Sequence, residues 1–406
     1  MTHSFEVHAE LDGEPIPMAD VQVDERGTRT VRTEFRYRSS YLARTEKPML
    51  DPGTRFGGAR HVSEALPRGL ADAGPDDWGR TLALRAHRRA LSETEFLLAA
   101  DDLTRMGALR LRVDPGGPFL AIGHQVPPLV ELDELADAAR AVETESDDLA
   151  AVRRLLRAGT GSLGGARPKA SVAAGDRLLI AKFAARQDEI DVMAWEKVCL
   201  DLAKTAGIPV PENRLVPVGN TRALLLDRFD RNSFGHRTPY LSAFALGDAP
   251  DPASGDYLEI GETLADLDIA DLPGTLRALW RRVAFNIAVR NTDDHLKNHG
   301  VCWSNAGWRL SPAFDITPDP VVGSTRTTMI DGEDHPVREG SALIGLAEEF
   351  GITPTEQRQI LTEVLAAAAQ WHTHAVRLGI EETEVTRVGR ILTDAQRRLA
   401  AVLDGR

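Results

Sequence analysis

The chain has 406 residues, 42% of them hydrophobic and 27% charged, and its formal net charge is −13. This length allows two or three domains with a substantial core, and the composition is ordinary for a globular protein. The negative balance argues against direct binding of a nucleic-acid backbone, which needs clustered cations, but a nucleotide needs only local positive charge. No apolar run is long enough to predict a membrane span, and no basic and apolar N-terminal run predicts a secretory signal. We therefore expect a cytoplasmic protein without membrane contact.

The first part of the chain, residues 1–115, mixes strand-like and helix-like runs. Apolar periodicity predicts these elements: strands at 19–23 and 33–37, and helices around 63–71 and 78–90. The Gly- and Pro-rich run at 113–118 is the first strong chain breaker. These features predict a mixed α/β N-terminal domain over residues 1–115.

A polar, acidic, helix-like stretch at 132–158 follows and predicts a helical connector over residues 116–158. It leads into a glycine-rich run at 159–165 that matches G-x-G-x-x-G. The match alone is weak, because a dinucleotide-binding fold needs a strand before the glycines and a helix after them. Here a helix-like stretch comes before the glycines, and a strand comes after. A flexible interdomain linker is the plain alternative.

The strand after the glycines, residues 177–183, carries Lys182. A glycine-rich turn before such a strand fits a loop that covers phosphates, since glycines let the backbone approach closely and the ammonium neutralises charge. An amphipathic helix is predicted next, and Glu196 on it would hold Lys182 in an ion pair unless it is a surface residue. The apolar run 222–226 then predicts a buried strand that enters a hinge between two lobes.

The most informative segment is NTDDHLKN at residues 291–298, followed by PAFD at 312–315. Asp293 lies five residues before Asn298, and Asp315 lies seventeen residues beyond Asn298. Kinase-type phosphoryl transfer needs one group to hold the attacking hydroxyl and two oxygen ligands for Mg²⁺. A short hairpin fits the interval and would return Asp315 to Asn298, so both would ligate one ion.

Two plainer interpretations of this segment stay open. Asp and Asn often form turns without any catalytic role. His295 and His299 have a four-residue metal-ligand spacing, but no third zinc ligand stands out nearby. Elsewhere, Cys199 and Cys302 form neither a metal motif nor a disulfide framework.

The remaining sequence predicts a helical lobe. An i, i+3, i+4 pattern at 276–287 predicts the helix that leads into the segment just described. Residues after 341 look helical, and a capping box at 353–356 predicts a helix that continues toward Gly379. We therefore expect a small lobe at 159–231 and a mostly helical large lobe at 232–406. The expected fold class is α+β, a two-lobed protein-kinase-like fold.

Several motifs together resemble a known family, the HipA-type toxin kinases of bacterial toxin–antitoxin pairs. The motifs are SLGGARPK at 162–169, LDRFDR at 226–231, NTDDHLKN at 291–298 and FDI at 314–316, with looser matches at 67–72 and 106–111. The resemblance covers nearly the whole chain. It implies a HipA-like serine/threonine protein kinase that uses ATP and Mg²⁺, with a small DNA-binding helix-turn-helix antitoxin as partner. DNA would be bound only through that antitoxin, and known targets of the family include aminoacyl-tRNA synthetases.

The resemblance also implies roles for particular residues. Asp293 would be the catalytic residue, and Asn298 and Asp315 would be the metal ligands. The residues that would contact the nucleotide are Ser162, Gly164, Gly165, Lys169, Lys182, Glu196, Asp227, Phe229 and His295. Ser162 matches the serine that family members autophosphorylate to inactivate themselves. One departure is Asp294, where some members have Gly; we expect it to add negative charge near the triphosphate.

Two other functions compete with this interpretation. A small-molecule phosphotransferase of the aminoglycoside or choline type shares the Asp-to-Asn spacing and would need an acidic pocket, for which Asp331, Glu333 and Asp334 are candidates. A catalytically silent corepressor-like binding protein would keep the fold without the chemistry. The intact set of Lys182, Asp293, Asn298 and Asp315 argues against the silent protein.

Overall fold

The computed structural model describes residues 1–121, 125–144, 148–159 and 165–403. Its strands are β1 (Thr2–Leu11), β2 (Glu14–Arg26), β3 (Arg29–Tyr37), β4 (His61–Ser63), β5 (Leu109–Arg112), β6 (Lys169–Ala174), β7 (Arg177–Phe183), β8 (Asn213–Val218), β9 (Thr221–Asp227), β10 (Tyr240–Ser242), β11 (Gly255–Asp256), β12 (Gly300–Ser304), β13 (Gly307–Leu310) and β14 (Thr328–Met329). Its helices are α1 (Ser39–Leu42), α2 (Arg68–Asp72), α3 (Asp77–His87), α4 (Glu93–Ala99), α5 (Leu132–Thr144), α6 (Leu149–Ala158), α7 (Val192–Thr205), α8 (Ala243–Leu246), α9 (Tyr257–Ala265), α10 (Leu272–Ala288), α11 (Glu339–Glu349), α12 (Pro354–Ala368), α13 (Trp371–Arg377) and α14 (Glu382–Leu403).

The chain divides into two compact units. Unit 1 comprises residues 1–187, 216–241 and 302–305, and unit 2 comprises residues 188–215, 242–301 and 306–406. Within the described ranges, no helix combines the length and the hydropathy that a bilayer crossing requires.

Unit 1 begins with a five-stranded sheet in the order β4-β3-β2-β1-β5. Strands β2 and β3 contain the two strands predicted from periodicity, whereas β1 was missed. One face of this sheet is buried by Val7, Val21, Phe35 and Leu111, which share one apolar core. The helix predicted at 63–71 is wrong over most of its length. Its first residue ends β4, and the helix begins only after Pro67, whose fixed φ suits a helix start and not an interior.

The second sheet of unit 1 has the order β6-β7-β9-β8. Its core face carries alternate residues of each strand, such as Val172, Leu179, Ala181 and Leu225. These residues pack on apolar residues of three helices: Trp78 and Leu82 of α3, Leu135, Ala139 and Val142 of α5, and Val152 and Leu155 of α6. Because strand side chains alternate, the other residues of β6, β7 and β9 face away from this core.

The stretch predicted as one helix at 132–158 consists of two, α5 and α6. Asp148 caps α6 by accepting hydrogen bonds from the backbone N–H groups of Ala150 and Ala151. A capping aspartate satisfies N–H groups that the first helical turn leaves unpaired, which explains why a new helix starts here. Both helices pack against the second sheet of unit 1.

Unit 2 is mainly helical, as expected. Helix α10 is buried along most of its length, including Trp280, Val283 and Ile287. The predicted capping box is present: Thr353 and Glu356 exchange side-chain and backbone hydrogen bonds at the start of α12. This helix ends at Ala368 and does not continue to Gly379; the chain turns through Gln370 and starts α13 at Trp371.

Candidate functional site

Lys182 lies on β7, the strand predicted for it, with its predicted bounds 177–183. Its register partners are Lys169 on β6 and Leu224 on β9, so the three side chains share one face of the sheet. That face is opposite to the apolar core, which takes Leu179 and Ala181 from the same strand. The alternation of β7 therefore places Lys182 on the face opposite to this core, and its contact with a ligand stays a prediction.

Lys169 is engaged within unit 1. Its Nζ donates to Asp76 Oδ2 at 2.8 Å and to the carbonyl oxygen of Gly165 at 2.8 Å, and both ionic side chains are almost fully buried. Burial raises the pKa of Asp76, and the charge of Lys169 opposes that rise. Asp76 also caps α3 through the N–H of Gly79. Sequence reasoning missed Asp76, because 93 residues separate it from Lys169. The contact of Lys169 with a cofactor stays a prediction.

The glycine-rich run is described only at its two ends. Gly159 has φ +68° and Gly165 has φ +87°, a region that side chains with a Cβ rarely adopt. A Cβ at Gly159 would also overlap the side chain of Thr104. Both ends therefore require glycine for conformational reasons. The predicted contacts of Ser162 and Gly164 lie outside the described residues.

The predicted hinge follows β9 directly. The backbone N–H of Arg228 donates to the carbonyl oxygen of Leu178 at 3.0 Å, which extends the pairing of β9 with β7. The carboxylate of Asp227 is paired with Arg177 at 2.7 Å, so its side chain is occupied while its backbone continues the strand. The Phe229 ring is half-buried and packs on Tyr240, with ring centroids 5.6 Å apart.

A buried charge cluster fixes the segment after the hinge. The Asp230 carboxylate accepts from Arg228 Nε at 2.7 Å, Arg228 Nη2 at 2.6 Å, Arg231 Nη1 at 2.7 Å and the N–H of Gly107 at 2.7 Å. Burial alone would raise the pKa of Asp230, but the two guanidinium charges outweigh it and hold the pKa well below its usual range. The LDRFDR motif thus joins the hinge to residues 103–107. Sequence reasoning missed this role, although three charged residues beside an apolar strand were its signal.

Unit 1 also contains a cavity of about 810 Å³ near the hinge. It is lined by the β6–β7 turn, by residues 125–128 and by residues 227–235. Among the predicted site residues that the structure describes, only Asp227 lines it. Lys182 does not line the cavity, but Ala173 and Leu178, which do, are register partners on the same face of the sheet as Lys182.

In unit 2, the two adjacent aspartates of the NTDDHLKN segment have opposite environments. Asp293 is exposed, whereas Asp294 is buried. After Asp293 the chain forms a short 3-10 turn at Leu296–Asn298, and Asn298 Nδ2 donates back to the carbonyl oxygen of Asp293 at 3.3 Å. This turn brings the two ends of the five-residue spacing together. Residues 290–299 are named the catalytic loop, after the role that the sequence predicts for Asp293.

Several polar atoms of the catalytic loop are buried without a hydrogen-bond partner among the described residues, and Asn298 Oδ1 and His295 Nδ1 are two of them. Leaving a buried polar atom unsatisfied costs about 1–3 kcal/mol, so such atoms call for a bound partner. An amide oxygen is a ligand that Mg²⁺ accepts, and an imidazole nitrogen suits a nucleotide or water contact. The chemistry of Asn298 and His295 therefore suits the metal and nucleotide contacts predicted for them, and the contacts themselves stay predictions.

The hairpin predicted between Asn298 and Asp315 is present as β12 and β13. The N–H of Ser311 donates to the carbonyl oxygen of Gly300 at 2.8 Å and closes it, which returns the chain toward the catalytic loop. Asp315 then adopts φ +58°, an uncommon value for a residue with a Cβ. Strained backbone of this kind occurs often at ligand sites, where the surrounding structure imposes it.

The expectation that Asp294 adds negative charge near a triphosphate stays a prediction, but the structure buries this carboxylate. Its Oδ2 accepts hydrogen bonds from Tyr257 Oη, from Asn286 Nδ2 at 2.5 Å and from His299 Nε2 at 2.9 Å. The carboxylate is inside unit 2, and its charge is satisfied there. Sequence reasoning could not see this, because these partners lie on α9, on α10 and at the end of the loop.

A second segment of unit 2 holds the beginning of the catalytic loop. Arg326 Nη1 donates to the carbonyl oxygen of Asn291 at 3.0 Å, and the N–H of Thr327 donates to that of Thr292 at 2.9 Å. Arg326 is itself buried in an ion pair with Glu339 at 3.0 Å. Arg290, at φ +56°, bonds Ser324 in the same segment. The loop is thus fixed on both sides of Asp293.

Three further expectations meet the structure here. Glu196 is fully buried on α7, so it is not a surface residue, while its pairing with Lys182 stays a prediction. In the described part of the chain, no group of three or more His, Cys, Asp or Glu side chains is placed to hold a metal ion, so His295 and His299 gain no third zinc ligand. Glu333 is paired with Arg338 through both carboxylate oxygens, which reduces the negative charge available to a cationic substrate.

Comparison with known proteins gives the family. Residues 161–372, more than half of the chain, match the family model of the HipA-like C-terminal domain. The fold is similar to that of HipA from Shewanella oneidensis MR-1, solved as a toxin–antitoxin system with HipB and operator DNA. The TM-score is 0.71, the identity is 17%, and the match covers 98% of this chain and 99% of that one. The proinflammatory kinase CtkA of Helicobacter pylori matches more weakly, with a TM-score of 0.45, 14% identity, and coverage of 59% of this chain and 91% of that one.

These matches confirm the expected α+β, HipA-like fold class. The family model spans the glycine-rich run, the hinge, the catalytic loop and Asp315, which are the segments whose motifs carried the resemblance. The chain belongs to the family of proteins with a HipA-like C-terminal domain.

Proposed function

We propose that this protein is a serine/threonine protein kinase that uses ATP and Mg²⁺ and acts as the toxin of a toxin–antitoxin pair. The observation that carries the proposal is the catalytic loop, where an exposed Asp293 is tied to Asn298 and the Asn298 Oδ1 is buried and unsatisfied. Phosphoryl transfer needs this combination of an accessible carboxylate and a neighbouring oxygen ligand.

Each residue has a role in this reaction. Asp293 would orient the attacking hydroxyl of the protein substrate and accept its proton. Asn298 and Asp315 would hold Mg²⁺, which screens the negative charge of the triphosphate. Lys182, on the face of its sheet opposite to the apolar core, would neutralise phosphate charge, and Glu196 would hold Lys182 in position. Backbone groups of Asp227 and Phe229 would contact the adenine, while Gly165, Lys169 and His295 would complete the nucleotide site.

The proposed partner is a small helix-turn-helix antitoxin. The similar HipA of Shewanella oneidensis was solved with HipB and operator DNA, which supports a partner of this kind. With a net charge of −13, this chain would reach DNA through the antitoxin and not by itself. A translation-related protein such as an aminoacyl-tRNA synthetase is the proposed substrate, and the cytoplasm is the proposed location.

The test is phosphoryl transfer by purified Asp293→Asn with labelled ATP and Mg²⁺. We expect a loss on the order of a hundredfold or more, because the amide cannot accept the proton. Asp266→Asn is the matched control: it removes the same charge from an exposed position at the end of α9 and should retain wild-type activity. Wild-type transfer by Asp293→Asn would reject the assignment.

Self-inactivation through Ser162 is the finer part of the proposal. A phosphate there would bring about −1.5 to −2 charges into a loop meant to surround phosphates, and the two groups would repel. We expect incubation with Mg-ATP to add one phosphate at Ser162, seen by intact mass spectrometry, together with loss of ATP binding. A protein that stays unmodified yet phosphorylates its target would be an unregulated kinase.

A small-molecule phosphotransferase is the second candidate. It requires an acidic pocket for a cationic substrate, and the pairing of Glu333 with Arg338 counts against one at residues 331–334. Activity on an aminoglycoside or choline, with none on any protein, would favour it. A catalytically silent corepressor would show neither activity and would still bind the antitoxin.

A further inference from the structure

The carboxylate of Asp294 accepts several hydrogen bonds at one oxygen atom. Three donors converge on its Oδ2, and they come from Tyr257 at the start of α9, Asn286 on α10 and His299 at the end of the loop. Its side chain is 3% exposed. Three separate elements of unit 2 thus meet at one carboxylate, which lies next to the proposed catalytic residue.

The chemistry of the cluster requires an ionised carboxylate. Burial alone would raise the pKa of Asp294, but the charge and hydrogen bond of His299 and the hydroxyl of Tyr257 outweigh it and lower the pKa to about 2. Burial and the neighbouring Asp294 raise the pKa of Tyr257 well above its usual value, so the phenol keeps its proton and donates it. An ionised carboxylate accepts several hydrogen bonds and donates none, which matches three donors.

Fixing Asp294 also fixes its neighbours in the chain. Asp293 is the preceding residue, and its carbonyl oxygen accepts from Asn298 Nδ2. The N–H of Asn298 in turn donates to the carbonyl oxygen of His295 at 2.8 Å. Because the turn from 293 to 298 is this short, rotation of Asp294 out of its pocket would move both ends of it.

We propose that Asp294 is a positioning residue: an internal anchor that holds the catalytic loop so that Asp293 and Asn298 are presented together. This inference rests on the proposed kinase function for its consequence in catalysis, but the anchoring itself does not. The anchor acts through the backbone of the loop, while the segment at 319–327 holds the other side of Asp293. Substrate and nucleotide would not touch Asp294.

A loosened anchor should lower the rate of transfer more than the affinity for nucleotide. Small misplacement of reacting groups costs up to about a hundredfold in rate. We expect Asp294→Ala to reduce kcat by about tenfold to a hundredfold while KM for ATP changes less than about threefold. Asp294→Asn keeps one acceptor oxygen and should recover part of the loss. Tyr257→Phe removes one donor of three and should have a smaller effect than Asp294→Ala.

Hydrogen exchange measures the anchoring without any catalysis. In Asp294→Ala, amides of the catalytic loop should exchange about tenfold faster than in the wild type, while amides of α12 should not change. Val364→Ala is the control, since it removes buried apolar volume from α12 and destabilises unit 2 without touching the loop. It should lower the melting temperature and leave kcat per folded molecule unchanged.

The outcomes separate the two proposals. Wild-type loop exchange in Asp294→Ala, together with a melting temperature lowered as in Val364→Ala, would overturn the anchor and leave Asp294 as a packing residue. A wild-type protein that transfers no phosphate to any substrate would overturn the kinase function, yet faster loop exchange in Asp294→Ala would still establish the anchor.

Discussion

Two buried carboxylates organise two different regions of this protein. In unit 1, Asp230 fixes the segment after the hinge, and in unit 2, Asp294 fixes the catalytic loop. The partners of Asp230 are two guanidinium groups and one backbone N–H, all of which keep their protons at any ordinary pH. The partners of Asp294 are a phenol, an amide and an imidazole. The first region is held by two permanent guanidinium charges, and the second is held by hydrogen bonds from two uncharged groups and the imidazole of His299.

This difference suits what each region does. A buried pair with permanent charges tolerates little change, because loss of either partner leaves an uncompensated charge inside the protein. Such a cluster is suited to holding the hinge rigidly against the N-terminal domain. We call this cluster of Asp230, Arg228 and Arg231 the joint. A carboxylate held by weaker donors still fixes a loop, but a local movement of that loop costs less free energy. The following predictions test how far the comparison holds.

The largest effect should come from Asp230→Ala. The substitution leaves Arg228 and Arg231 buried without a counter-charge, and we expect it to destabilise the protein by about 3–5 kcal/mol. Urea unfolding followed by tryptophan fluorescence measures this. Asp176→Ala, which removes an exposed carboxylate from the β6–β7 turn, should stay within about 0.5 kcal/mol of the wild type. If Asp230→Ala lowered the free energy of unfolding by less than about 1 kcal/mol, the cluster would not be what holds the hinge in place.

A smaller loss of stability is expected from a substitution at Gly159, where the glycine-rich run contacts the same joint. A Cβ at Gly159 would press on Thr104, whose carbonyl oxygen accepts from Arg228 Nη1 at 2.9 Å. With the cost of positive φ added, Gly159→Ala should destabilise by about 2–4 kcal/mol. Gly175→Ala is the matched control, because φ is +63° there and a Cβ would meet nothing within 4 Å. Gly175→Ala should lower the free energy of unfolding by about 1–2 kcal/mol. Equal losses for the two variants would show that the Thr104 side chain moves aside without a measurable cost.

The smallest effect is the loss of stability in acid, and it distinguishes Asp294 from Asp230. The folded pKa of Asp294 is about 2 against an ordinary 3.8, so its ionisation stabilises the fold above pH 3.8 and that stabilisation is lost as pH falls through about 2. The loss amounts to about 2 kcal/mol. The difference in unfolding free energy between the wild type and Asp294→Asn should therefore narrow from pH 5 to pH 2. Both gaps should narrow together from about pH 4 to about pH 2, because the unfolded carboxyl groups have the same ordinary pKa. Below that range the gap for Asp294→Asn should stop narrowing, whereas the gap for Asp230→Asn should narrow further, because the pKa of Asp230 is shifted further down. A gap for Asp230→Asn that stops narrowing at the same pH as the gap for Asp294→Asn would contradict the comparison.

Much of the local structure followed from the sequence. The apolar run next to Lys182 predicted β7, and the turn residues at 304–307 predicted the β12–β13 hairpin. The capping box predicted the start of α12. These features depend on residues that are close in the chain, so their physical causes are visible in a short window of sequence. The helix predicted to continue toward Gly379 instead breaks between Ala368 and Trp371, and no local signal in the sequence marked that break.

The environment of individual side chains was decided by the tertiary structure. The sequence has two adjacent aspartates at 293 and 294, and nothing local distinguishes them; Tyr257 and Asn286 do, because they take the second carboxylate into the interior of unit 2. Lys169 likewise has its counter-charge 93 residues away, and Asp230 accepts from an N–H group 123 residues away. The sequence by itself indicated the family, several elements around the predicted site and the spacing of the predicted site residues. Only the tertiary structure decided which carboxylates face solvent and which are buried, because hydrogen-bond partners distant in the chain meet only after folding.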